Sequence, residues 1–229
     1  MRFSGSKTKT VVIALAATAA TSAFGYWGYS EFRTQQLRDE ITALVKDASL
    51  RMDTALSAPV RAIAVDNPVV LRKFYEHAEA VDAHFRKLHQ EGVAAVADLA
   101  YAADDYLLTS REILLRWASS QRYRLKLSSS IKALQEHMRA DNRTGAWVTE
   151  AIRAKDRVEE DYRDYNRAIS ALSTLLGAFP ASRDKMAPHV DAALLTDENL
   201  IASVRAYALA ASAVAADEME KIRELRTYR

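Results

Sequence analysis

The sequence predicts an all-α chain: an N-terminal transmembrane helix followed by an antiparallel helical bundle or coiled coil with long helices. Three observations lead there. Only six Gly and four Pro occur in 229 residues, against plentiful Ala, Leu, Arg, Glu and Asp, a balance that favours long helices. Apolar residues recur at spacings of three and four through most of the chain, and no run alternates β-branched residues as a strand does. An uncharged stretch long enough to cross a bilayer stands near the N-terminus.

That stretch is VVIALAATAATSAFGYWGYS, residues 11–30. Arg2, Lys7 and Lys9 precede it and no charge falls between Thr10 and Ser30. Twenty such residues span a hydrocarbon core of about 30 Å as a helix. Tyr26, Trp27 and Tyr29 cluster at its far end, where amphipathic rings prefer the membrane interface. The positive end stays cytoplasmic by the positive-inside rule, which puts the rest outside. A signal peptide is the alternative, with small residues around Thr21, Ser22 and Ala23. The apolar run continues past that site, which favours the uncleaved anchor. The expected location is a bacterial-type inner membrane, single pass, with a periplasmic body.

The expected divisions are a cytoplasmic N-terminus (1–10), the anchor (11–30), a membrane-proximal helix with a Pro-containing linker (31–68) and the helical bundle (69–229). From Glu31 to about Leu56 the pattern is helical, with Leu37, Ile41, Leu44, Ala48 and Met52 on one side. Pro59 and Pro68 bracket a break. Asn67 before Pro68 reads as an N-cap with proline in the first helical position.

The clearest seam follows: Phe74, Ala78, Val81, Phe85, Leu88, Gly92, Ala95, Leu99, Ala102 and Tyr106 alternate spacings of four and three, a heptad pattern. It passes straight through Gly92, which weakens a helix by about 1 kcal/mol relative to Ala without having to end it. A second seam runs through Ile113, Trp117, Ser120, Arg124, Leu127, Ile131, Leu134 and Met138. It is out of phase with the first around Thr109 and Ser110, which predicts either a stutter or a short break.

DNRTG at 141–145 reads as a turn. Val148, Ala151, Lys155, Val158, Tyr162, Tyr165, Ile169, Leu172, Leu176 and Phe179 then continue the seam until GAFPASR, 177–183, which is expected to break the helix. A short segment from Asp184 to Leu195 follows. Thr196 or Asp197 caps the last helix, which carries Val204, Tyr207, Ala211, Val214, Ile222 and Leu225. Its alanines permit close approach of a neighbouring helix.

The chemistry-bearing residues are sparse. Lys plus Arg is 32, Asp plus Glu is 30, and the net charge of +2 leaves no footprint for nucleic acid. Cysteine is absent, which removes disulfides, thiolate metal sites and thiol nucleophiles together. No phosphate-binding loop, dinucleotide turn, nucleophile elbow or hydrolase triad occurs, so no catalytic residue and no cofactor are expected. His77 and His84, one heptad apart near Glu76, Glu79 and Asp82, are the only metal-ligand candidates, and a solvated helix flank explains them better. Asp104 and Asp105 are adjacent, so they point about 100° apart on a helix and do not converge. Arg124 on the seam is expected to snorkel or to pair with Glu160, Asp161 or Asp164 across the turn.

DYRDYNRAISALSTLLGAFP, residues 161–180, resembles the tyrosine-asparagine helix ending in Phe-Pro that occurs in the LemA family. The matching residues are Tyr162, Tyr165, Asn166, Ile169, Phe179 and Pro180. The resemblance implies a membrane-anchored, envelope-associated bundle and brings no catalytic residues with it.

The expected function is that of a membrane-anchored scaffold or interaction subunit, acting through helix contacts with a protein partner or with itself. An extracytoplasmic sensory or ligand-binding bundle is the alternative from another class. A metal-binding bundle enzyme comes third, for want of convergent ligands.

Overall fold

Among the described residues, five α-helices and two single 3-10 turns follow one another: α1 Ser6–Arg61, α2 Pro68–Gln90, a 3-10 turn Val93–Val96, α3 Ala97–Arg139, α4 Gly145–Met186, a 3-10 turn Ala192–Leu194 and α5 Glu198–Glu224. The computed structural model describes residues 6–61, 68–90, 93–140 and 144–224, with side chains from Tyr29 onward except at 58–61, 68, 70 and 90. Among the described residues there is no strand. The described structure is all-helical, as the scarcity of Gly and Pro favours.

α1 takes in the 11–30 stretch and the amphipathic segment after it as one helix of 56 residues, about 84 Å at 1.5 Å per residue. It ends past Pro59, at Arg61. Its Leu37, Ile41, Val45, Ala48, Met52 and Leu56 are buried in the same cluster as the cores of α2 to α5. Asn67 and Gly92 lie outside the described residues.

The seam through 74–106 does not belong to one helix. α2 stops at Gln90, a 3-10 turn follows, and α3 starts at Ala97. α2 packs back along α3 instead. Phe74, Asp82 and His89 of α2 meet Trp117, Arg111 and Asp104 of α3, in that order. A heptad stripe is satisfied equally by a neighbour and by a hairpin of its own chain, which is why periodicity alone did not locate the turn.

The phase change at Thr109 and Ser110 is no break. α3 runs unbroken for 43 residues. Around it, Tyr106, Leu107, Ser110, Ile113, Leu114, Trp117, Ala118, Ser120 and Gln121 are all buried. Mid-α3 is enclosed on several sides, so its apolar surface is a broad arc rather than a stripe. Beyond Gln121 only Leu127 and Leu134 are buried, one heptad apart.

α4 corrects another expectation. GAFPASR does not end it; Pro180 sits inside a helix that reaches Met186. Pro180 is exposed, whereas Phe179, Ser182 and Met186 are buried. Burial on both sides of the proline holds the helix together against the lost hydrogen bond. Along α3, Asp105, Thr109, Lys126 and His137 meet Lys185, Ser182, Asp161 and Trp147 of α4, so partner numbers fall on α4 as they rise on α3. Asn166 and Lys155 of α4 meet Ser212 and Arg223 of α5 in the same opposed sense.

The helix starts are built locally. The Thr144 side chain accepts a hydrogen bond from Trp147 N at 3.2 Å, and the Asp197 carboxylate accepts from Asn199 N at 2.9 Å, each satisfying an orphan donor of a first turn.

Candidate functional site

The histidine pair does not converge. His84 Nε2 lies 2.5 Å from Asp47 Oδ2 of α1, and Arg51 Nε lies 2.6 Å from the same oxygen. His77 is half-buried, and its Nδ1 has no hydrogen-bond partner among the described residues. Burial lowers its pKa below the ordinary histidine value, and the charge of Arg51 adds to that. Among the described residues, no three His, Asp or Glu side chains are grouped to hold a metal. Asp104 and Asp105 also part company, toward His89 at 3.2 Å and Lys185 at 3.0 Å.

Of the seam residues, Phe74, Val81, Leu88, Leu99, Tyr106, Val158, Tyr165, Ile169, Leu172 and Leu176 are buried, while Phe85 and Tyr162 are half-buried against the same core. The side chains of Tyr26 and Trp27 lie outside the described residues, and Tyr29 is exposed.

Arg124 departs from expectation. Its Nη1 donates to Tyr207 Oη of α5 at 3.1 Å. Asp161, one of the three acids expected as its partner, is 1% exposed and is held by Lys126 Nζ at 2.6 Å and Ser130 Oγ at 2.5 Å. Lys126 and Ser130 share a face of α3 that Arg124, two residues earlier, does not. No carboxylate lies within ion-pair distance of Arg124 among the described residues.

Arg124, Tyr165 and Tyr207 line one groove, with α3 and α5 as walls and Tyr165 of α4 on its floor. Its volume is about 600 Å³, within the range of small-molecule sites. Leu127 and Ile131 of α3 and Ala211, Val214 and Ala215 of α5 form its apolar sides. Lys132, Gln135 and Glu218 lie at the far end. Numbers rise together along both walls, from 124 to 135 and from 207 to 218, so the groove follows the helices for three turns, about 16 Å. Tyr165 is 2% exposed, and its hydroxyl has no hydrogen-bond partner among the described residues. Burial pushes that hydroxyl up to about 12; Tyr207 adds to the shift and Arg124 opposes it. It therefore remains a neutral donor at physiological pH. The signal for this site in the sequence was an arginine on an otherwise apolar seam. Tyr207 and Tyr165 were read there only as packing residues.

α5 carries a further surface. Among the described residues it is the one helix long and apolar enough to cross a membrane, with a mean hydropathy of 1.3 in its most apolar window, of which 22% is buried. The expected anchor lay at the other end of the chain, in the part of α1 whose side chains fall outside the described residues. α5 is apolar because it is rich in alanine. Ile201, Val204, Ala208, Ala215, Met219 and Ile222 pack inward. Leu209 and Val214 are 56% and 60% exposed, and Ala202, Ala206 and Ala213 are exposed beside Leu209.

No protein-family model, no curated protein and no solved structure matches the chain.

Proposed function

We propose that this chain is a single-pass, membrane-anchored scaffold, an antiparallel helical bundle held outside the cytoplasm by residues 11–30. It acts through helix–helix contacts with a protein partner or a second copy. The carrying observation is the outer face of α5. Ala202, Ala206, Leu209 and Ala213 follow one another at spacings of four, three and four, and all are exposed. This is a heptad-spaced stripe on which nothing packs among the described residues, and small residues let a second helix approach closely. The inward face of α5 packs on α4 and α1, which favours a protein contact surface over a membrane span. The charge pattern of residues 1–30 supports the orientation.

The absence of native cysteine makes single-cysteine chemistry unambiguous. Full-length protein carrying Leu209→Cys or Ala213→Cys is treated in native membranes with a membrane-impermeant maleimide from the outer side. Protection at both positions, with ready labelling of Arg153→Cys, is expected. Rapid labelling at Leu209→Cys and Ala213→Cys would show an uncovered face and remove the scaffold role from α5. A Ser4→Cys variant labelled from outside would overturn the orientation.

A further inference from the structure

We infer that the α3–α5 groove binds an amphiphile with one carboxylate headgroup and an apolar chain. The headgroup sits between Arg124, Tyr165 and Tyr207. The groove lies on the flank of α5 away from Leu209, so this inference does not rest on the scaffold assignment.

Three donors converge at the head of the groove without an acid to meet them. Arg124 is half-buried and spends one N–H on Tyr207. Its remaining N–H groups suit the planar, two-oxygen geometry of a carboxylate. Tyr207 Oη accepts from Arg124, which leaves its own proton to donate. The Tyr165 ring is buried, and its hydroxyl, on a residue that lines the groove, has no protein partner among the described residues and is open to an anionic oxygen. Below this head, Leu127, Ile131, Ala211 and Val214 provide apolar walls that a hydrocarbon chain would cover. The one acid lining the groove, Glu218, is eleven residues along α5 from Tyr207, about 16 Å away by helical rise.

The probe is decanoate. Full-length protein in phosphatidylcholine nanodiscs is examined by equilibrium dialysis against labelled decanoate, with empty nanodiscs as the blank. Saturable binding of one decanoate per chain is expected, weakened at least about tenfold in Arg124→Gln, as loss of a charge-assisted pair implies. Tyr165→Phe, which keeps the ring and removes only the hydroxyl, weakens it less. Decanamide binds more weakly than decanoate. Nanodiscs doped with phosphatidylglycerol, whose headgroup is a phosphodiester, test the carboxylate assignment: unchanged decanoate binding is expected, and competition overturns it in favour of a phosphate. Binding equal to that of empty nanodiscs, or equal for decanoate and decanamide, overturns the inference. So does equal binding by wild type, Arg124→Gln and Tyr165→Phe when all three show the same helicity and melting.

Discussion

Tyr106 Oη donates to Thr196 Oγ1 at 3.1 Å and accepts from Thr196 N at 3.1 Å. Ser49 Oγ of α1 lies 2.8 Å from the same phenol oxygen. One fully buried hydroxyl thus ties α1 and α3 to the loop that launches α5. Phenylalanine here keeps the ring and its packing on Phe179, whose centroid is 5.4 Å away. It leaves Thr196 N buried without an acceptor. Tyr106→Phe is expected to cost about 1–3 kcal/mol in urea unfolding. Tyr101→Phe, on a residue 71% exposed, is expected to leave the midpoint unchanged, and equal midpoints for wild type and both variants would remove the knot from the account.

Asp53 lies near the same loop, and its place in the fold disfavours its charged form. Burial is the main influence on its carboxyl and raises the pKa. The Asp197 backbone lowers it, the Asp197 charge raises it and Thr196 lowers it, and the net shift is upward. The folded state therefore binds this proton more tightly than the unfolded chain does. Its contribution to stability grows as pH falls through the raised folded value and is complete below the ordinary carboxylate value. At neutral pH the charged form is a net cost. Asp53→Asn should raise the melting temperature at pH 7 and lose that advantage toward pH 4. A variant that melts lower at pH 7 refutes the assignment.

The Asp47 bridge has the opposite sign. Burial is again the largest influence and pushes the carboxyl up, but hydrogen bonds and charge from His84 and Arg51 together bring it below its ordinary value. Its contribution is present above the unfolded value of 3.8 and is lost as pH falls through the folded one. The side chain is 38% exposed, so screening reduces its worth. Asp47→Asn should cost roughly 1 kcal/mol at pH 7, with the difference from wild type vanishing in strong acid. A pH-independent difference points to altered packing instead.

The α3–α4 turn is closed by a reciprocal clamp. His137 Nε2 donates to Trp147 O at 2.9 Å, Trp147 Nε1 donates to His137 O at 3.1 Å, and the rings stack with centroids 5.2 Å apart. Trp147→Phe removes the indole donor and shrinks the ring while keeping an aromatic face, and is expected to cost about 1–2 kcal/mol. Trp147→Ala also empties the space under the imidazole and should cost about 3–5 kcal/mol. Equal losses for both, measured by chemical unfolding, would mean that stacking adds nothing.

Continuity of α3 is open to a direct test. Thr109 sits mid-helix, and its hydroxyl meets Ser182 at 3.1 Å. Thr109→Pro removes an intrahelical hydrogen bond and forces a clash with the preceding turn, an expected loss of about 3 kcal/mol or more. Circular dichroism and melting identical to wild type would restore a break at that position.

The sequence by itself determined the helical class and most of the inward residues, although Val214, on the expected seam of the last helix, is 60% exposed. These follow from local terms: few Gly and Pro, and spacings of three and four. It did not determine where the long seam turns, because Phe74, Leu88, Leu99 and Tyr106 satisfy the same pattern whether their segments are joined end to end or packed side by side. It also misjudged Pro180, since the burial of Phe179 and Met186 on either side outweighs a local preference that only the neighbouring helices can override. Arg124 was legible as an anomaly, but its partner was not. Three-dimensional packing gave Asp161 to Lys126 and Ser130, two residues whose side chains leave α3 in a different direction from that of Arg124. Tyr207, eighty-three residues later in the chain, reached the guanidinium instead. The groove exists only through that long-range meeting of α3, α4 and α5, and no spacing along one helix encodes it.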